Sequence, residues 1–418
     1  MSFACRCALL AVAPLALLSA ACGGEPRVAT PTQGTSSAPR DALAPSVATA
    51  GSSARAALPT QSSGVASNGA SDRVVGALTP GTRVVSVASV SAGSDVTCAA
   101  LADKTLWCWG DGQFDVVQGG GREHPRPAQV PTPAPVTEVA VGAAHACVRH
   151  EDGTMSCWGS NYSGELGTGT PTNPPGSGLL VPTRVPGVSD VTAVSANAHS
   201  AALLSSGKVM FWGDYDSGSG DPRPAGSAKP ALVVGIRDAV EVVSGSGSCA
   251  RLSSGAVRCW YAVSPGLIPR GKDRVDPMNA PVRGAVALYP QSAGACAITK
   301  TPRLVCWAFL TQLITDPFPG MAALVAKGDV AQLAFSSDAA CARMRSGAVA
   351  CEEQDGSGTG TGVVRPVPSL TGVTSIVAGG SHFCALEHDK LLCWGANAFG
   401  QLGDGTTKTR LTPTPVVW

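Results

Sequence analysis

The sequence is poor in charge, in aromatic side chains and in the short motifs of common enzymes. Only 14% of its 418 residues are Asp, Glu, Lys or Arg, 5% are aromatic, and the net charge is +1. This balance supplies no basic field, so we predict no nucleic-acid partner. The sequence also lacks the patterns G-x-x-x-x-G-K-[ST], H-E-x-x-H and G-x-S-x-G. We therefore predict no cofactor, no metal site and no catalytic residues.

Glycine and proline, in contrast, are abundant. The chain has 50 glycines and 32 prolines, which suit many short strands and turns better than helices. Its length could hold one large domain or two ordinary ones. Composition thus favours an all-β fold.

Two segments far apart in the chain are near copies of each other. Residues 381–406 read SHFCALEHDKLLCWGANAFGQLGDGT, and residues 145–170 read HACVRHEDGTMSCWGSNYSGELGTGT. They share the frame H-x-C, then eight or nine residues, then C-W-G-x-N-x-x-G-[QE]-L-G-x-G-T. Each predicts a β-hairpin followed by a glycine-punctuated loop, so the chain is a repeat protein.

These motifs resemble the repeat of the regulator of chromosome condensation family, in which a Pro-rich run such as LTPTPVV follows the loop. The resemblance implies a seven-bladed β-propeller, which we place at residues 81–418. Seven markers, complete or degenerate, end the predicted hairpins at spacings of 42 to 54 residues. They are Cys108-Trp109, Cys157-Trp158, Phe211-Trp212, Cys259-Trp260, Cys306-Trp307, Cys351-Glu352 and Cys393-Trp394.

Six of the markers have a partner cysteine nine or ten residues upstream. The third repeat lacks both cysteines, with Ala201 and Phe211 in their places, as expected if the two positions face each other. We predict disulfides, while structural zinc and free buried thiols remain alternatives. The predicted pairs are Cys98–Cys108, Cys147–Cys157, Cys249–Cys259, Cys296–Cys306, Cys341–Cys351 and Cys384–Cys393.

The N-terminal residues have the pattern of an export signal. Residues 1–22 contain Arg6, an apolar core too short for a good membrane span, and the run Ser19-Ala20-Ala21-Cys22. This ending resembles a bacterial lipobox and predicts lipid on Cys22. Cleavage after Ala21 by ordinary signal peptidase is the alternative, because Leu18 lies four residues before the cysteine. Residues 23–80, rich in Ala, Ser, Thr and Pro, predict a disordered, flexible tether.

Two further sets of residues recur in one register. The marker tryptophans predict packing between blades, with a ligand-binding aromatic ring as the alternative. His145, His199 and His382 stand two residues before the first cysteine position. A structural hydrogen bond to a neighbouring loop is the favoured role for each imidazole, and a ring of metal ligands is the alternative.

The loops after the markers vary in sequence, whereas the hairpins repeat. This pattern is typical of a binding surface on a rigid frame, and unselected drift is the alternative. We expect the loops to gather on one rim, where aromatic and arginine side chains could anchor a partner. The candidate anchors are Phe114, Arg122, Tyr162, Tyr215, Arg270 and Phe399.

The resulting hypothesis is a monomeric, non-enzymatic, lipid-anchored propeller in the periplasm or at the cell surface that binds a protein or glycan. Its only membrane contact would be the lipid anchor. The alternative is an exported hydrolase or lyase with its site at the propeller mouth. Guanine-nucleotide exchange, the activity of the founding family member, is disfavoured because the export signal and the cysteine pairs predict a location outside the cytoplasm.

The anchor is tested by Cys22→Ala. Lipidation requires the thiol, so the variant should move from the membrane fraction to the soluble fraction on cell fractionation. A wild-type protein that is already soluble, or a variant that stays with the membranes, would contradict the anchor.

Overall fold

A computed structural model describes residues 53–55, 85–169, 178–213, 228–245, 247–260, 274–275, 277–291, 294–308, 317–355 and 359–418. All of them belong to one unit, Ser46–Trp418. The predicted signal peptide lies outside these ranges. So does the predicted tether except for residues 53–55, which form a short strand that the tether prediction did not include.

The described strands form seven mainly antiparallel sheets that follow one another along the chain, as a seven-bladed propeller requires. The innermost strands are β2 (Val87–Ala92), β6 (Val136–Val141), β10 (Val191–Ala196), β14 (Ala239–Ser244), β19 (Ala285–Pro290), β22 (Val330–Phe335) and β26 (Val373–Ala378). The second strands are β3 (Val96–Leu101), β7 (His145–His150), β11 (Ser200–Leu204), β15 (Ser248–Leu252), β20 (Gly294–Thr299), β23 (Ala339–Met344) and β27 (His382–Glu387).

The outer half of each blade continues the same up-and-down order. The third strands are β4 (Leu106–Asp111), β8 (Met155–Gly159), β12 (Val209–Trp212), β16 (Val257–Trp260), β21 (Leu304–Ala308), β24 (Val349–Glu353) and β28 (Lys390–Gly395). The fourth strands are β5 (Glu123–Val130), β9 (Leu179–Arg184), β13 (Ala231–Val233), β18 (Met278–Asn279), β25 (Arg365–Pro366) and β29 (Arg410–Pro415). Two extra strands join this frame: β1 (Ser53–Arg55) pairs with β2, and β17 (Arg274–Val275) pairs in parallel with β13.

The ring closes through its innermost strands, because each contacts the next and β26 contacts β2. Small hydroxyls on one strand accept hydrogen bonds from main-chain N–H groups of the next. Ser89 Oγ accepts from Val139 N at 3.3 Å, and Ser91 Oγ accepts from Val141 N at 2.9 Å. Small side chains let the strands approach closely enough for these lateral bonds, which explains the Ser, Ala and Gly content of these strands.

Between later blades, longer side chains make the same lateral bond. Glu241 is fully buried, pairs with Arg251 at 2.6 Å and accepts from Leu288 N at 3.2 Å. Gln332 accepts from Ile376 N at 3.1 Å and donates to Ile376 O at 3.0 Å. The lateral bond is therefore preserved while the residue that makes it changes.

The six predicted disulfides are present, each between directly opposed residues of the second and third strands. Their Cα atoms lie 4.0 to 4.1 Å apart. In the third blade Ala201 lies directly opposite Phe211, as their joint replacement of cysteine predicted. Six disulfides imply an oxidising compartment.

The tryptophan prediction is also confirmed, since the core lies between blades. Trp109, Trp158, Trp212, Trp260 and Trp307 are each at most 1% exposed. Trp158 of the second blade packs with side chains of the first, including Cys98 and Val116. The tryptophans are thus inter-blade core residues rather than a ligand-binding ring.

Prolines protect the outer edges of the blades. β5 carries Pro125 and Pro127, β9 carries Pro182, and β29 carries Pro413 and Pro415. Proline has no N–H to offer to another strand, so these edges resist pairing with a second chain. This explains the Pro-rich runs in these three blades.

The described part of the fifth blade differs from the expected four strands. Among the described residues it has three, and helix α1 (Pro319–Ala326) packs beside β21. The eight-residue α1 is far too short for a bilayer, and no helix in the described ranges is long and apolar enough to cross one. The helix begins at a proline, which is favourable at the first helical position, and it buries Met321 and Val325.

A buried carboxylate of the sixth blade holds the N-terminus of this helix. Glu352, which stands where other blades have tryptophan, is fully buried and accepts hydrogen bonds from main-chain N–H groups. Its partners are Gly320 N at 3.1 Å, Met321 N at 2.7 Å and Gly362 N at 2.8 Å. A carboxylate at a helix N-terminus satisfies free N–H groups and complements the helix dipole. Glu353 faces solvent, because adjacent residues of a strand point to opposite sides.

Glu352→Gln tests this cap. The neutral amide can satisfy fewer of the three N–H groups, so the free energy of unfolding should fall by about 2 kcal/mol. The neighbouring Glu353→Gln is the matched control and should change it by less than about 0.5 kcal/mol. Urea denaturation followed by tryptophan fluorescence would measure both, and equal midpoints would contradict the cap.

Candidate functional site

The loops that follow the third strands lie on one rim of the ring. Because every blade runs up and down in the same order, these loops and the turns between first and second strands share one end of the blades. We call this end the loop rim. Its position agrees with the prediction, and several motif residues of these loops hold neighbouring blades together.

The loop glycines and polar residues first of all shape the loop itself. Asn161 Oδ1 accepts from Leu166 N at 3.1 Å in the second blade, and Asn397 Oδ1 accepts from Leu402 N at 3.0 Å in the seventh. Where glycine follows the marker tryptophan it adopts positive φ, for example 98° at Gly159 and 109° at Gly395. A Cβ at Gly395 would lie 2.6 Å from the Ser381 carbonyl, so no larger residue fits.

The shaped loop then caps the next blade around the ring. The indole of Trp212 donates to the Glu165 carbonyl at 2.9 Å, and the indole of Trp109 donates to the Gln401 carbonyl at 2.9 Å. Leu166 and Leu402 are fully buried beside these rings. The motif residues Asn, Gln or Glu, Leu and Gly are therefore inter-blade scaffold.

The same carbonyls accept a second hydrogen bond from a hydroxyl of the next blade. Ser200 Oγ donates to Glu165 O at 2.7 Å, and Thr97 Oγ1 donates to Gln401 O at 2.9 Å. Each hydroxyl also lies 2.8 Å from a histidine Nε2, that of His145 or His382 respectively. Since the hydroxyl proton is committed to the carbonyl, the imidazole must donate from Nε2, which fixes its tautomer.

These histidines are neutral structural donors, as the sequence predicted. Burial lowers the pKa of His145 to about 3 and the pKa of His382 to about 4. Burial likewise lowers the pKa of His199 to about 4, while its imidazole bonds to the main chain of Gly245 in the next blade. Each of the three thus bonds to the following blade.

A hydroxyl within hydrogen-bond distance of a histidine resembles an activated nucleophile. Here Ser200 is 0% exposed and His145 is 1% exposed. The hydroxyl proton points to a main-chain carbonyl and the histidine donates rather than accepts, so the pair cannot act as nucleophile and base. Sequence reasoning missed these pairs because their members lie in consecutive blades, although Thr97 and Ser200 occupy one register.

Two of the predicted anchors meet where the seventh blade contacts the first. The guanidinium of Arg122 lies 4.6 Å from the ring centroid of Phe399 and binds Asp111 at 2.7 Å. Asp95 accepts from Gln401 Nε2 at 3.0 Å. Asp95, Asp111, Arg122 and Phe399 form what we call the seam patch.

The seam patch combines buried charge with an exposed cation. The side chain of Arg122 is 55% exposed, while that of Asp111 is 10% exposed. Burial, and secondarily the Asp111 charge, raises the pKa of Asp95. Arg122 is thereby held in one orientation by a carboxylate and an aromatic face, which lowers the entropy lost when it binds a partner.

The other predicted anchors are not brought into this patch. Phe114 is half-buried in the first-blade loop, and Tyr162 is 36% exposed in the second-blade loop. Tyr215, Arg270 and the lipidation candidate Cys22 lie outside the described residues. Within the described ranges, no three His, Cys, Asp or Glu side chains are grouped to hold a metal ion.

Comparison with known families supports the repeat assignment. The family described as Regulator of chromosome condensation (RCC1) repeat matches residues 87–115, 136–165 and 373–401 in one form, and 152–204 and 388–418 in another. The mouse (Mus musculus) secretion-regulating guanine nucleotide exchange factor is 44% identical over 68 residues. That match covers 15% of this chain and 15% of the mouse protein, so it spans a small part of either.

Solved structures support the fold. Yeast RCC1 (Prp20), in its complex with Kap60, is similar with a TM-score of 0.59 and 17% identity, over 84% of this chain and 91% of that one. Human WBSCR16 is similar with a TM-score of 0.55 and 18% identity, over 75% of this chain and 94% of that one. Prp20p of Saccharomyces cerevisiae, described with its binding to Gsp1p and histones, has a TM-score of 0.57 at 16% identity. At these identities the likeness shows the fold alone.

Glu165 provides a pH-dependent test of the capping loop. Burial raises the pKa of its carboxyl to about 7, whereas the matching residue of the seventh blade is the neutral Gln401. A raised carboxyl pKa costs stability as pH rises from about 4.5 to 7, because the unfolded chain releases the proton first. Glu165→Gln should therefore stabilise the protein at pH 8, by up to about 3 kcal/mol, and have little effect at pH 4.5.

Denaturant unfolding at both pH values would measure this difference. The buried histidines have the opposite sign: their lowered pKa values cost stability as pH falls below about 6.5, but equally in both proteins. The exposed Glu123→Gln serves as the control. An equal effect of Glu165→Gln at pH 4.5 and pH 8, or destabilisation at pH 8, would contradict the raised pKa of the Glu165 carboxyl.

Proposed function

This chain belongs to the regulator of chromosome condensation repeat family, and from that premise we propose that it is an exported, non-enzymatic propeller that binds a protein or glycan partner through its loop rim. The proposal also takes residues 1–22 as the export signal, Cys22 as the lipid attachment site and residues 23–80 as the tether. It treats the protein as a monomer of the cell envelope.

The observation that carries the binding role is the seam patch. Arginine and aromatic side chains are the residues that most often dominate interface energetics. Arg122 presents more than half of its side chain to solvent and is already oriented by Asp111 and Phe399. The repeated Asn, Gln or Glu and Leu residues of the rim loops hold neighbouring blades together, so the exposed patch is the best supported contact point.

The relatives support a partner-binding role in general terms only. Prp20p is described with binding to Gsp1p and histones, and Kap60 is bound to yeast RCC1. Those partners belong to those proteins. Guanine-nucleotide exchange is not carried over, because the mouse exchange factor matches over only 15% of this chain and six disulfides favour an oxidising compartment.

The hydrolase alternative has less support. The hydroxyl–histidine pairs are buried and oriented for structure, and the carboxylates of the seam patch are occupied by Arg122 and Gln401. No specific contact in the described residues favours a reaction over binding. We therefore keep binding as the proposed function.

Arg122→Ala tests the proposal directly. Loss of an oriented interface anchor should weaken capture of an envelope partner roughly tenfold or more. The melting temperature should change little, because Asp111 still accepts from Gln113 N. The measurement is capture from a solubilised envelope fraction, followed by titration of whichever component is retained.

Arg303→Ala is the matched control, since Arg303 is exposed in the turn between second and third strands, at the opposite end of the blades. Equal capture by both variants would overturn the seam patch as a binding site. Turnover of an envelope substrate that disappears with one carboxylate substitution would overturn the non-enzymatic role.

A further inference from the structure

The end of the propeller opposite the loop rim carries its charges unevenly. This end consists of the turns between second and third strands and the links that lead from each blade into the next, and we call it the turn rim. Across blades three to six it presents seven Lys or Arg side chains, while the only carboxylates there, among the described residues, are Asp238 and Asp329. We call these cations the basic arc: Lys208, Arg237, Arg283, Lys300, Arg303, Lys327 and Arg345.

The basic arc is continuous from blade to blade, because main-chain hydrogen bonds tie its turns to the links beside them. The bonds run from Ala239 N to Gly207 O at 3.0 Å, Ser253 N to Asp238 O at 2.9 Å, Ala285 N to Gly255 O at 2.9 Å, Lys300 N to Gly284 O at 2.7 Å, and Arg345 N to Asp329 O at 2.9 Å. Between blades five and six the ring of Pro302 also lies beside Gly328. The cations therefore stand in one array rather than on independent loops.

The cations of the arc are also free of partners, unlike those elsewhere on the turn rim. All seven are exposed, and none forms an ion pair within the described ranges. In blades seven, one and two, the described turns and links carry six carboxylates and three Lys or Arg residues. Lys104 pairs there with Glu151 at 3.5 Å, and Arg184 pairs with Asp152 at 3.1 Å. The net charge of +1 thus conceals a strongly basic sector.

The chemistry of the arc favours a charged surface over a protein partner. Its described turns and links contain no Phe, Tyr or Trp, whereas protein interfaces are enriched in aromatic side chains and depleted of lysine. A layer of anionic headgroups needs neither pockets nor aromatic anchors, since each Lys or Arg near it adds to the attraction. The seven cations lie at the same end of four adjacent blades, so they can meet a flat partner together.

We propose that the basic arc binds an anionic lipid surface, with headgroup phosphates as its ligands. This inference rests on the proposed function, which makes the protein a lipid-anchored component of the cell envelope, and it adds a second membrane contact to that anchor. A lipid on a flexible tether holds the propeller near a bilayer without fixing which end faces it. Contact through the arc fixes that end, so the loop rim and its seam patch face away from the membrane.

The test is co-sedimentation of the full-length Cys22→Ala chain with two kinds of vesicle, phosphatidylcholine alone and phosphatidylcholine mixed with phosphatidylglycerol. The substitution removes lipid attachment, and any contribution of residues 1–22 is the same in every variant. Affinity for the anionic vesicles should exceed affinity for the neutral ones roughly tenfold or more. The excess should disappear as ionic strength rises from about 0.1 M to about 1 M, because the screening length falls from about 10 Å to about 3 Å.

Neutralising three lysines of the arc locates the contact. Lys208→Gln, Lys300→Gln and Lys327→Gln together should weaken binding to the anionic vesicles roughly tenfold or more. The matched control is Lys229→Gln, Lys390→Gln and Lys408→Gln, which changes the net charge equally at exposed positions outside the arc. Both triple variants should keep the melting temperature, because surface substitutions of this kind have small effects on stability.

Four outcomes would overturn the inference. They are equal binding to the two kinds of vesicle, equal losses in the two triple variants, binding of soluble polyphosphate without binding of vesicles, and self-association of the protein that the arc variant abolishes while vesicles stay unbound. Capture through Arg122 is measured in a solubilised fraction, where no bilayer is present. The seam patch can therefore fail while the arc binds vesicles, and the converse also holds.

Discussion

The ring depends on a main-chain carbonyl in the loop of one blade that accepts two hydrogen bonds from the next. At two junctions the carbonyl, from Glu165 or Gln401, receives an indole N–H and a hydroxyl, and the hydroxyl in turn receives a histidine N–H. All these groups are buried, so leaving one unpaired would cost about 1–3 kcal/mol. This mutual dependence explains why histidine, tryptophan and the Asn-to-Gly loop residues occur together in the second and seventh repeats.

The other junctions show that geometry is conserved more strictly than residue identity. Glu352 replaces a tryptophan. Its carboxylate accepts hydrogen bonds from N–H groups at the N-terminus of α1, whereas the indole at other junctions donates to a loop carbonyl. Gln332 and Glu241 replace serine in the lateral bonds near the axis. Glu241 and Gln332 accept from the same main-chain N–H positions as serine does, whereas Glu352 accepts from N–H groups where the indole donates to a carbonyl. In each case a main-chain polar group is paired, because an unpaired one at a blade junction is unfavourable. The recognised repeat matches lie in the first three blades and the seventh, where loop and tryptophan residues are closest to the shared motif.

Sequence reasoning was strongest where a contact is local. The register of the hairpins follows from cysteine spacing, which is nearly constant, and Cys98 indeed lies opposite Cys108. It was weaker for contacts between blades, because the partners of His382 and Phe399 lie at the other end of the chain. Helix α1 was missed, since Phe318-Pro319 gives no more than a generic start signal. Most of the fold was therefore predictable, whereas the pairing of Arg122 with Phe399 required coordinates.

The junction of the seventh and first blades differs from the other junctions, because these two blades are not consecutive in the sequence and no connecting loop joins them. Noncovalent ties replace that connection: Gln401 alone bonds to Trp109, Thr97 and Asp95, and Trp418 packs edge-on against Trp109 with centroids 5.7 Å apart. Arg122 and Phe399 stand over this same junction. A partner that binds both residues would touch two blades at once, and binding to the closed ring alone would stabilise closure by mass action. Recognition at the seam patch is thus coupled to the integrity of the ring in a way that recognition at any single-blade loop is not.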